Sequence, residues 1–166
     1  MTPNKTSNKL TAPNNDGKIE KALEALLTKG IPLSITLGVL TKKDFDVLYA
    51  TAYNLYAEKK YPRALANFSF MTIYDHFDKR GWIGSAACWQ VLKNYKNALN
   101  CYSKASALDI KDPLPIFHSV ECYIILKMYS EARSALKVVE PLIKNNPEFA
   151  SFQRGAAKMK EFLQNK

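Results

Sequence analysis

The sequence predicts an all-α solenoid of three stacked helix–turn–helix units. Three observations carry that expectation. The pattern Lys-x-Tyr-x-x-Ala-x-x-x-bulky occurs as "KKYPRALANF", "KNYKNALNCY" and "KMYSEARSAL", each 34 residues after the last. Leu55, Trp89 and Tyr123 keep the same phase, as do Ala52, Ala86 and Val120. Asp44, Asp78, Asp112 and Asn146 also stand 34 apart, and each is a residue that caps helix N-termini, because a short side-chain oxygen accepts an orphan backbone N–H.

The elements follow in order. Asp16 opens and Gly30 closes an N-terminal helical stretch, "DGKIEKALEALLTKG". The apolar "IPLSITLGVL" after it reads as a short turn and helix. Helices then start near 45, 79, 113 and 147, the last two with proline in the first turn, where no hydrogen bond is lost. The first unit pairs 45–58 with 62–73, the second 79–92 with 96–108, the third 113–126 with 130–139. Pro141 is expected to kink the sixth of these helices or end it near Glu140. The resulting organisation is a tail over 1–16, a helical segment over 17–43, an array over 44–146 (44–77, 78–111 and 112–145) and a capping helix over 147–166. Small residues at Ala52 and Ala86 allow close helix approach, and Phe68 and Tyr102 fill the space beside them. This is the pattern of the tetratricopeptide repeat, met most fully by the second unit through Trp82, Ala86, Trp89, Ala98, Tyr102 and Ala105.

Composition bounds the function. With 166 residues, 47% of them hydrophobic, the chain suits one modest domain. No apolar run approaches the ~18 residues a membrane span needs, so no membrane insertion is expected. The Asn/Thr/Lys-rich start lacks the apolar core of a secretory signal. Three cysteines without a CxxC read as small hydrophobes of a reduced compartment, and no metal site is expected. The net charge of +9 permits acidic partners, but the lysines are dispersed, and nucleic-acid binding is not expected. His76 and His118 fall in different units and no phosphate loop is present. Neither an enzyme nor a cofactor is expected, and there is no candidate catalytic residue.

The candidate site is a second stripe on the first repeat helix. Tyr49, Tyr53 and Tyr56 lie at i, i+4 and i+7, off the face formed by Leu48, Ala52 and Leu55. An array of this kind turns that face toward its concave side. Its equivalents are Ile83, Ala87 and Gln90, then Phe117, Glu121 and Ile124, giving a mostly apolar groove. Tyrosine adds apolar area and a hydrogen-bonding tip at low entropic cost, which suits an extended peptide. Extra core packing is the alternative use of these rings.

Beyond the repeat, "LYATAYNLY", "YDHFDKRGWIGSAACWQ" and "LDIKDPLPIFHSVECY" resemble the class II chaperones of type III secretion. The resemblance covers about 30–149. It implies a cytoplasmic chaperone of a Gram-negative bacterium that keeps pore-forming translocator proteins soluble and secretion-competent. It implies an extended client segment containing proline and leucine, bound by Tyr49, Tyr53 and Tyr56, with Phe68, Tyr74 and Phe117 as further contacts. It also implies a homodimer through the N-terminal region, where Ile19, Leu23, Leu26 and Leu27 form a stripe without a partner in the repeats. The net charge of +9 departs from a family that is usually acidic or near neutral. A generic repeat scaffold serving another assembly is the alternative function.

Overall fold

The computed structural model describes residues 40–144 and 147–166, together with Lys21 and Gly38. The dimerisation stripe Ile19, Leu23, Leu26 and Leu27, the caps Asp16 and Asn146, and Gly30 lie outside the described residues.

The described chain is helical throughout: α1 (Lys42–Ala57), α2 (Tyr61–Tyr74), α3 (Lys79–Val91), α4 (Tyr95–Leu108), α5 (Pro113–Ile125), α6 (Tyr129–Ile143), a 3₁₀ turn (Pro147–Phe149) and α7 (Ala150–Gln164). Each helix packs on the next, and α1 also touches α3, as α5 touches α7. The odd-numbered helices form one layer and α2, α4 and α6 the other. The fold is an all-α tetratricopeptide-repeat solenoid.

The repeat positions are the core. Ala52, Ala86 and Val120 are fully buried, and so are Ala64, Ala98 and Ala132. Phe68, Tyr102 and Leu136 fill the adjoining space. The three cysteines are free and buried. Burial pushes the thiols of Cys88 and Cys122 up to about 11 and about 12, so they stay protonated and unreactive.

Caps explain most helix starts. The carboxylates of Asp78 and Asp112 accept from the N–H groups of Arg80 and Leu114, each at 3.0 Å. The expectation for Asp44 is corrected. Thr41 caps α1, three residues earlier, and Asp44 closes a capping box by accepting from the Thr41 N–H at 2.8 Å. Two further expectations change. Helix α6 runs through Pro141 to Ile143, since a proline removes one donor but α6 is held on both sides by buried Val139 and Ile143. The last helix starts at Ala150, because residues 147–149 form a 3₁₀ turn.

The turns inside the units share one device. Lys59, Lys93 and Lys127 have φ of 60°, 62° and 60°. Each follows a helix C-terminus, with Schellman hydrogen bonds such as Lys60 N–H to Leu55 C=O at 2.8 Å. The left-handed conformation costs an L-residue about 1–2 kcal/mol. A lysine beside the negative helix end recovers about 0.3–1 kcal/mol. Glycine, the usual occupant, would avoid the strain.

Ion pairs tie the units at the opposite edge. Lys79 Nζ donates to Asp109 at 2.7 Å and Asp112 at 2.8 Å. Arg80 bridges Asp78 at 2.6 Å and Asp46 at 2.8 Å.

Candidate functional site

The exposed side of the odd-helix layer starts at α1. Tyr49 is half-buried, its ring 6.2 Å from Tyr53 and 6.1 Å from Phe68, with the Arg80 guanidinium 5.1 Å above it. The Arg80 contact fixes Tyr49 from the neighbouring unit through a cation–π interaction. Tyr53 is 57% exposed, so its ring is open to a partner. Tyr56 is half-buried and meets Tyr61 edge-on at 5.3 Å. Burial raises the Tyr56 hydroxyl above its ordinary value, so it remains a donor at neutral pH.

Ile83, Ala87 and Gln90 of α3 and Glu121 and Ile124 of α5 continue this surface, all half-buried. Here the chemistry changes from aromatic to polar. Tyr102 Oη donates to Gln90 Oε1 at 2.7 Å, and Gln90 Nε2 donates to Glu121 Oε2 at 3.0 Å. His118 Nδ1 lies 2.9 Å from the same Glu121 oxygen. A carboxylate can only accept, so Nδ1 carries the proton. His118 stacks on Tyr102 with ring centroids 5.7 Å apart. Burial by itself raises the Glu121 carboxyl. The hydrogen bonds with His118 and Gln90 outweigh it and hold the group below its ordinary value. The surface can therefore present rings at one end and an oriented carboxylate at the other. Neither His118 nor the Tyr102 hydroxyl was expected at the site. The His-x-x-Glu spacing of 118 and 121 on one helix was the available signal.

Three expected residues lie elsewhere. Phe68 is 2% exposed, because its ring is wedged between Tyr49 and the backbone of Gly84. Phe117 is 5% exposed although it is the repeat equivalent of Tyr49, because α7 covers it. Phe152 meets it edge-on at 4.9 Å, and Gly155 lies directly against the ring. Tyr74 belongs to α2, in the other layer, and stacks on Phe70 at 4.3 Å. The exposed site thus comprises Tyr49, Tyr53, Tyr56, Ile83, Ala87, Gln90, Glu121 and Ile124, and α7 closes its far end. Among the described residues no cluster of His, Cys, Asp or Glu could hold a metal ion, and no helix is long and apolar enough to cross a membrane.

No family model matches the chain. It is 32% identical over 145 residues to the low calcium response locus protein H of Yersinia pseudotuberculosis, covering 87% of this chain and 86% of that protein. Two solved structures are similar in fold and sequence. The Yersinia enterocolitica type III secretion chaperone SycD, in complex with a peptide of the translocator YopD, superposes with a TM-score of 0.73 at 33% identity, over 75% of this chain and 95% of that one. PcrH of Pseudomonas aeruginosa, in complex with the chaperone binding region of PopD, gives 0.73 at 30% identity, over 76% and 95%. SycD has also been solved as an alternative dimer.

Proposed function

Because this chain belongs to the family of type III secretion translocator chaperones, we propose that it binds an extended segment of a translocator along α1, α3 and α5. The observation that carries the reading is the run of amphipathic rings at Tyr49, Tyr53 and Tyr56, which leads into the oriented Gln90–Glu121 pair. Rings grip apolar client side chains such as proline and leucine, and each tyrosine keeps a hydroxyl for the client backbone. An extended, proline-containing segment loses little entropy on binding. The polar pair offers acceptors to backbone N–H groups that a mostly apolar groove would leave unpaired.

The mechanism is stoichiometric holding. The chaperone acts in the cytoplasm, catalyses no reaction and needs no cofactor. Occupying the client's anchor segment lowers the population of exposed, aggregation-prone translocator by mass action. The chain acts as a homodimer, with Ile19, Leu23, Leu26 and Leu27 as the proposed contact stripe.

The test is co-expression with a translocator from the same organism, comparing wild type with the Tyr49→Ala/Tyr56→Ala variant. The variant should keep its helical circular dichroism and lose most of the co-purified translocator. A folded variant that retains the translocator at the wild-type ratio overturns the reading.

A further inference from the structure

The turn between the helices of each unit places a lysine in the left-handed conformation: Lys59, Lys93 and Lys127. The Schellman hydrogen bonds there are made by backbone alone, so glycine would serve the fold without strain. The return from the helix dipole is smaller than the strain. Three identical exceptions at one structural position point to a use for the side chain.

The side chains are available for it. All three lysines are exposed, and none has a carboxylate partner among the described residues. Arg63 and Lys96 add positive charge beside them. The acidic residues of these turns are already engaged. Glu58 pairs with Lys60 at 2.8 Å, and Glu131 accepts from Ser130 at 2.6 Å. The opposite edge of the solenoid differs in kind, since Lys79 and Arg80 are there neutralised by Asp46, Asp78, Asp109 and Asp112. Lys59, Lys93 and Lys127 thus stand exposed and unpaired at one repeated structural position, whereas Lys79 and Arg80 are neutralised.

The three lysines follow α1, α3 and α5, the helices that carry the tyrosine surface, one in each repeat unit. We propose that this edge is a docking ridge for an acidic polypeptide segment in extended conformation. One lysine per repeat unit, each at the end of a helix that carries the tyrosine surface, matches a polypeptide lying along the array rather than a plane of lipid headgroups or a duplex. The ridge runs beside the tyrosine surface, since the N–H groups of Lys59, Lys93 and Lys127 bond to the carbonyls of Tyr56, Gln90 and Ile124. It does not depend on what that surface binds.

The probe is a fluorescein-labelled deca-glutamate peptide, followed by anisotropy at low salt. The full chain should bind it, with affinity falling as salt rises. The Lys59→Gln/Lys93→Gln/Lys127→Gln variant should bind on the order of tenfold more weakly, as three exposed charge contacts allow. A control that neutralises exposed helix lysines, Lys104→Gln/Lys137→Gln/Lys158→Gln, should bind like wild type. The Lys59→Gly/Lys93→Gly/Lys127→Gly variant separates the side chain from the fold. It should melt at or above the wild-type temperature and still lose the peptide. Equal binding by wild type and the ridge variants overturns the proposal. So does an equal loss in the control, which would reduce the effect to net charge. Tighter binding to phosphatidylserine vesicles or random duplex DNA than to the peptide assigns the ridge to another partner and overturns it as well.

Discussion

Gly84→Ala tests the packing that positions the tyrosine surface. A Cβ at Gly84 would stand 2.4 Å from both Cδ1 and Cε1 of Phe68 and 2.5 Å from its Cγ. Carbon atoms in contact settle at about 3.5–4.0 Å, so the ring must retreat by about 1 Å or more. It has no space to do so, being 2% exposed and backed by Tyr49. Overpacking of this kind costs about 1–3 kcal/mol, and the absence of free volume places Gly84 at the upper end. Alanine in mid-helix returns about 1 kcal/mol of propensity. The net expectation is a loss of about 2 kcal/mol, which lowers Tm by roughly 4–8 °C in a chain of this size. Chemical denaturation should show the midpoint falling at constant m-value. Phe68→Leu in the same chain should recover part of the loss by vacating the ring's edge. A Gly84→Ala variant as stable as wild type, or more stable, would refute the packing of α2 on α3.

Two further outcomes follow from single groups. Ser85 is 2% exposed and its hydroxyl has no hydrogen-bond partner, so Ser85→Ala should stabilise the fold by about 1 kcal/mol, seen as a higher melting temperature; a clear loss of stability would mean that the hydroxyl is bonded. Glu121 has its carboxyl held below the ordinary 4.5, so its ionised form stabilises the fold above that pH, and the contribution is lost as pH falls through the folded value. Denaturant midpoints at pH 7 and pH 3 should therefore drop further for wild type than for Glu121→Gln, and equal drops would remove the His118–Glu121–Gln90 network from the account.

The repeat was legible because it is written in residue volume. Only a small residue fits at Ala52, Ala64, Ala86, Ala98 and Ala132, so the interval of 34 shows through divergent neighbours. The start of α1 was misread because the period pointed to Asp44, while the local Thr41-x-x-Asp44 box decided the cap. Phe68 is in phase with buried Tyr102 and Leu136, and the phase marked it as core; its place among the site residues came from the family resemblance alone. Phe117 could not be placed from its phase. The phase equates it with Tyr49, and the contact that buries it comes from α7, which is no part of the repeat. Lys59, Lys93 and Lys127 recur visibly at the interval of 34, but their left-handed conformation could not be read from the sequence, since its usual sign is glycine.

The central claim is that the client lies on the odd-helix face, and photocrosslinking tests it most directly. Benzoylphenylalanine in place of exposed Tyr53 should crosslink the co-expressed translocator, and the same group in place of exposed Ser103, on α4 in the other layer, should not. Crosslinking from position 103 with none from position 53 would contradict the account.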